Sequence, residues 1–155
     1  MTRGSDAADR TRALTDLDAT LLVEAAAGTG KTSLLAGRLT MLLASGAPPR
    51  NIAAITFTEL AAGELRARVT RFVTELLRGV VPPDLEPALP NGLTASQKLS
   101  LEESRFRLDE LTATTIHGFC HSLLRSYAIE ANIDPGRPTR SRSWPEETRR
   151  RRWTR

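Results

Sequence analysis

Residues 21–35 read LLVEAAAGTGKTSLL, and few local patterns restrict a fold so tightly. An apolar run of strand length, 19–25, meets Gly28 and Gly30 and gives way to a helical pattern from Lys31 to about Leu43. Strand, glycine-rich bend, Lys-Thr and helix is the order of a phosphate-binding loop. In such a bend the backbone N–H groups turn inward to cradle phosphate oxygens. Gly28 and Gly30 permit positive φ and close approach of a ligand. The helix that starts at Lys31 aims its positive end at the same anion. Lys31 adds a compact charge; it is one of two lysines in a chain with twenty arginines, and a broad guanidinium would fit that space poorly. The nucleotide-binding expectation therefore covers Ala25, Ala26, Ala27, Gly28, Thr29, Gly30, Lys31, Thr32 and Ser33, with the Thr32 hydroxyl as a ligand for Mg²⁺. Ala25 stands where the common pattern has Gly. A simple Ala/Gly-rich turn is the competing reading.

Further along, apolar strand-like runs alternate with helical stretches. A helix is expected over 6–14, ahead of the phosphate loop. SGAPPRN (45–51) is turn chemistry, and IAAITF (52–57) is a second strand candidate. From Glu59 to about Gly79 the residues Leu60, Leu65, Val69, Phe72, Val73 and Leu76 lie near one helical stripe. Residues 80–92 read as a loop and 95–109 as a helix. LTATT (111–115) is a third short strand, and 116–131 a closing helix. This alternation predicts an α/β fold with three parallel strands and helices on the sheet faces.

Charge is unevenly placed. Residues 137–155 hold eight arginines against Glu146 and Glu147, a net of +6 in a chain whose total is +4, so the remainder is mildly acidic at about −2. That segment has no Leu, Ile or Val, and it is expected to be a disordered basic tail. The single cysteine, Cys120, excludes a disulfide framework and reads as a packed residue. The amino terminus has no apolar signal-peptide core, and apolar runs stop short of a membrane span, so a cytoplasmic protein without membrane contact is expected.

Two more segments, AAITFTELAAGELRARV (53–69) and TATTIHGFCHSLLRSYA (112–128), follow VEAAAGTGKT in fixed order. Together the three resemble the amino-terminal end of a UvrD/Rep-type superfamily 1 DNA helicase of the RecB/AddA kind, over about residues 6–136. The resemblance implies a partial RecA-like P-loop NTPase domain (1–136), ATP and Mg²⁺ as cofactors, and single-stranded or duplex DNA as substrate. It also implies a role in repair or recombination, and other subunits of a helicase–nuclease complex as partners. On the same ground Thr56, Phe57, Thr58, Thr115, His117 and Phe119 are expected to contact DNA. Their chemistry agrees: Phe57 offers a stacking face, and Thr58 with the following helix start can meet a phosphate. A core role for Phe57 and a local capping role for His117 are the plainer alternatives. Glu64, Arg66 and Arg68 read as a solvated helix face.

The magnesium carboxylates of the resembled family end a buried strand beyond the T-x-H-G-F segment. Here the only Asp-Glu pair, Asp109-Glu110, precedes that segment and follows RFRL, which is no buried strand. The sole glutamine, Gln97, is not placed to read a base as the family's upstream glutamine does. The compositional break after IDPG suggests that 137–155 is out of frame and that the chain is a truncated helicase fragment, inactive alone. Without the carboxylate strand, the edge of TLLVEA would be left unpaired and apolar. Two other functions compete. One is a non-catalytic nucleic-acid-binding module that grips phosphates through the Arg/Trp-rich tail. The other is a small nucleotide kinase, which would need an acceptor site and an arginine-bearing lid.

Overall fold

A computed structural model describes residues 3–24, 26, 28 and 30–127, with side chains from Asp6 onward. The chain divides into two compact units, Met1–Phe119 and Cys120–Arg155. The first contains α1 (Arg3–Thr15), α2 (Lys31–Ala44), β1 (Ala53–Thr56), α3 (Glu59–Leu77), α4 (Ala95–Arg105) and β2 (Thr112–Thr115). Short 3₁₀ turns occupy Pro49–Asn51, Pro83–Leu85 and Leu108–Glu110. The helix α5 (Ile116–Ser126) begins in the first unit, and its later residues belong to the second.

Local chemistry accounts for most boundaries. Thr58 caps α3, its hydroxyl accepting from the Ala61 N–H at 3.1 Å. Thr94 and Gln97 form a reciprocal capping box at the start of α4, with bonds of 3.2 and 2.9 Å. Gly46 ends α2, and Pro48-Pro49 prevents its continuation. The expected helix over 95–109 stops at Arg105, and the Asp109-Glu110 pair falls in a separate 3₁₀ turn.

The core lies between α2, α3 and the crossover that follows. Leu65, Val69, Phe72, Val73 and Leu76 bury one face of α3 against Leu39 and Leu43 of α2, with Leu14, Leu85 and Leu101 closing the cluster. Ala62, and not Leu60, extends the α3 stripe; Leu60 is exposed. Phe72 is fully buried, so its truncation would cost about 3–5 kcal/mol.

β1 and β2 pair in parallel, in register Ala53↔Thr112 through Thr56↔Thr115. The chain crosses between them through α3 and α4, as parallel pairing requires. Only one face is well covered: Ala54 and Ala113 are buried, whereas Ile55 is exposed. Among the described residues the expected third strand is not found. Residues 20–24 belong to no strand, and Leu22 is 87% exposed and Val23 46%. The reason is pairing, since an apolar run becomes a strand only where a neighbour satisfies its N–H and C=O groups. The sheet among the described residues is therefore a two-stranded parallel ribbon.

α5 has the apolar spacing of an amphipathic helix, yet none of its residues is buried. Cys120 is exposed, contrary to the packed role expected of it. The expected tail over 137–155, and the end of the closing helix beyond Tyr127, lie outside the described residues.

Candidate functional site

The segment before α2 carries the geometry expected of an anion cradle at the positions the structure describes. Gly28 has φ 79° and Gly30 φ 84°, both left-handed, and Gly30 is the N-cap of α2. A Cβ added at Gly28 would meet nothing within 4 Å, so that side of the bend is open. No side chain caps α2, and its first turn has no acidic residue. The cap position itself thus supplies no side-chain oxygen to the amides that open the helix. Lys31 is exposed, and its Nζ donates to the Ala26 carbonyl at 2.7 Å, folding the ammonium back across the bend. Thr32 is exposed in the same turn, and Ser33 is buried. A hydroxyl oxygen such as that of Thr32 is the hard donor Mg²⁺ takes beside phosphate and water oxygens. Ala25, Ala27 and Thr29 lie outside the described residues.

The second group of candidates gathers where the two strands end. Thr56 and Thr115 are register partners, so the residues after them leave the sheet side by side. Phe57 has a relative exposure of 101% and is no part of the core among the described residues. Thr56 donates to the Thr58 carbonyl at 2.9 Å and so fixes the turn that presents Phe57. Thr115 does two jobs with one hydroxyl. It accepts from the Gly118 N–H at 3.2 Å, capping α5, and donates to Glu59 Oε1 at 2.9 Å, linking the second junction to the start of α3. His117 is exposed in the first turn of α5, and Phe119 is half-buried. Gly118 has a packing reason: a Cβ there would collide with the Thr114 hydroxyl. The turn after β2 therefore closes tightly and leaves His117 outside.

Sequence reasoning missed three arginine and glutamate roles. Arg38 is half-buried, and its guanidinium reaches four carbonyls: Ala13 at 2.7 Å and Asp16 at 2.9 Å from Nη1, Leu17 at 3.3 Å and Ala19 at 3.1 Å from Nη2. These include carbonyls left unpaired where α1 ends, so Arg38 ties α1 and its exit to α2. A lone charge within LLAGRLTMLLA was the available signal, since a cation in an apolar helix must find acceptors. Arg66 is not merely solvated, because its Nη2 donates to the Ala113 carbonyl at 3.0 Å. Glu59 pairs with a residue 56 positions away, for which the sequence holds no signal.

Asp109 and Glu110 precede β2 at the end of the strand opposite Thr115. Glu110 Oε1 accepts from Arg107 Nε at 2.9 Å, a bond and charge that raise the guanidinium pKa further. The pair belongs to a local turn, and a magnesium role for it has no geometric support.

The profile of the UvrD/REP helicase N-terminal domain matches residues 7–152. The chain belongs to this family. Its similarity to individual relatives is consistent. It is 32% identical over 132 residues to the AddA-type ATP-dependent helicase/nuclease subunit of Desulforamulus reducens, covering 83% of this chain and 9% of that protein. The corresponding protein of Heliobacterium modesticaldum is 34% identical over 125 residues, 80% of this chain and 8% of that protein. That of Carboxydothermus hydrogenoformans is 36% identical over 123 residues, 77% and 9% respectively. The chain thus spans about one tenth of the length of the relatives it matches, and the stretch matched by the UvrD/REP helicase N-terminal domain contains both groups of candidate residues. No helix among the described residues is long and apolar enough to cross a membrane.

Proposed function

We propose that this chain is the nucleotide-binding portion of an ATP-dependent DNA helicase of the AddA type, which acts in DNA repair or recombination within a helicase–nuclease assembly. Mg·ATP is held by residues 25–33: the loop amides and Lys31 take the phosphates, and the Thr32 hydroxyl takes the metal. Single-stranded DNA runs across the carboxyl ends of β1 and β2, where Phe57 stacks on a base. Thr56, Thr58, Thr115, His117 and Phe119 shape or contact the same surface. In this reading the 155 residues bind nucleotide without turning it over, because they supply the cradle and not the carboxylate pair that phosphoryl transfer to water requires.

The observation that carries the reading is the start of α2. Two left-handed glycines lead into a helix whose first turn holds Lys31, no acid and no side-chain cap. That arrangement suits an anion such as a phosphate group. The exposed Phe57 supports the DNA half of the proposal. The decisive experiment is calorimetric titration of Mg·ATP into the wild-type chain and Lys31→Ala, with and without a single-stranded oligonucleotide. Saturable binding that the substitution removes is expected. Equal affinity in the two proteins would overturn the assignment of residues 25–33.

A further inference from the structure

One acidic side chain stands between the two groups of residues at the strand ends. Glu59 opens α3 directly after Thr58, and its Oε1 accepts from the Thr115 hydroxyl at 2.9 Å. A glutamate in the first turn of a helix has two ordinary local uses. It complements the helix dipole, or, from the third helical position, it reaches back to the cap residue. Glu59 holds the first position, and the third is Ala61, whose N–H goes to Thr58. Dipole complementarity needs no partner on β2, so it leaves the bond to Thr115 unexplained.

The chemistry of the donor gives that bond its consequence. A threonine hydroxyl has one proton to give and lone pairs with which to accept. The Thr115 proton goes to Glu59, and a lone pair takes the Gly118 N–H at 3.2 Å. The acceptor on α3 thus orients the hydroxyl that caps α5, and the first turn of α5 carries the exposed His117. A second tie lies seven residues on, two turns along the same face of α3. Arg66 Nη2 donates to the Ala113 carbonyl at 3.0 Å, and Ala62, between the two, is buried. α3 therefore grips β2 at Ala113 and again at Thr115. Glu59 also carries the wrong sign to touch a nucleic acid directly, since a carboxylate repels the phosphates of a strand.

We infer that Glu59 is a positioning residue of the DNA surface, which sets the Phe57 junction against the His117 junction through its bond to Thr115. The inference rests on the DNA reading of the strand ends and adds to it the group that couples them. Glu59 acts as a hydrogen-bond acceptor and not as a charge. A glutamine carbonyl can replace it, and an alanine cannot.

The test follows binding of a short, dye-labelled single-stranded oligonucleotide to the full 155-residue chain by fluorescence anisotropy, with a melting curve for each variant. Glu59→Ala should weaken binding roughly fivefold, the worth of one side-chain hydrogen bond. Glu59→Gln should bind at least as tightly as wild type, because it keeps the acceptor and removes the repulsion. In a Thr115→Val background Glu59→Ala should add no further loss, since its partner is already gone. Tighter binding by Glu59→Ala would make the residue a repulsive charge and nothing more. A loss in Glu59→Gln equal to that in Glu59→Ala would make the carboxylate itself the contact. Either result overturns the inference, and so does unchanged affinity in Glu59→Ala beside a lowered melt, the mark of a purely structural bond. Should Glu59→Ala fail to fold, Thr115→Val decides, because a folded variant that binds as wild type does leaves the bond without a role. If wild type binds the oligonucleotide and Phe57→Ala weakens it while Glu59→Ala does not, this inference alone is lost. If wild type does not bind the oligonucleotide, the DNA reading itself fails and takes this inference with it.

Discussion

Three helices of this molecule start at strand-like segments, and they start in two different ways. At α3 and α5 a threonine hydroxyl occupies an early amide: Thr58 takes the N–H of Ala61, and Thr115 that of Gly118. At α2 the cap is a left-handed glycine with no side-chain bond, and residues 20–24 ahead of it belong to no strand. A capped start is finished from within the chain, and its binding chemistry must come from projecting side chains such as Phe57 and His117. A start without a side-chain cap is one where main-chain amides can meet an anion. The difference separates a site built from main chain from one built from side chains, and each can be broken without the other.

The largest effect should come from the main-chain site. Lys31→Ala is expected to lower nucleotide affinity by roughly 10²-fold, since one ammonium serves more than one phosphate oxygen. Thermal unfolding should move by no more than about 0.5 kcal/mol, because the residue is exposed. Calorimetry beside a melting curve reads both. A melt that drops in proportion to the binding loss would mean that the bond to Ala26 is structural, and the contrast between the two kinds of junction would collapse.

Phe57→Ala should show the reverse pattern at the strand ends. Removing a stacking platform is worth about 1–3 kcal/mol in single-stranded DNA affinity. Since the ring is wholly exposed, stability and nucleotide binding should not change. Fluorescence anisotropy with a short oligonucleotide measures the loss, and unchanged anisotropy would remove Phe57 from the DNA surface.

The caps come next. Thr58→Ala and Thr115→Ala should each destabilise the fold by about 1 kcal/mol, with Ser restoring most of it. Thr115→Ala should cost more, because its hydroxyl also donates to Glu59. Chemical denaturation midpoints rank the two; equal losses would make the Glu59 contact energetically empty.

How much of this could be read from the sequence depends on the range of the interaction concerned. The glycine-Lys-Thr bend, the α3 stripe and the threonine caps are local, and each residue type declares its own use. β1 and β2 were legible as short β-rich runs, and their parallel pairing as a consequence of the helices between them. The segment 20–24 was misread because strand propensity is not strand formation. Leu21, Leu22 and Val23 have the right side chains, but a ladder needs a second backbone, which a sequence does not display. Leu60 matched the α3 period yet faces out, since the period names a stripe and the neighbouring layer decides its width. Arg38 was missed for a related reason: it acts across the α1–α2 contact, where a missing Cβ at Gly37 lets Leu14 approach.

The smallest predicted effect tests the segment that leads into the phosphate loop. Leu22 is 87% exposed, so Leu22→Glu removes no packing and should leave the melting midpoint within about 0.5 kcal/mol of wild type. The same substitution breaks an exposed apolar run, and it should reduce self-association at high concentration. Light scattering across a concentration series, paired with a melt, follows both quantities. A loss above about 1 kcal/mol would mean that Leu22 is buried in the folded chain. The segment would then be a true strand with a partner, α2 would begin as α3 and α5 do after paired strands, and only the missing side-chain cap would set the phosphate loop apart.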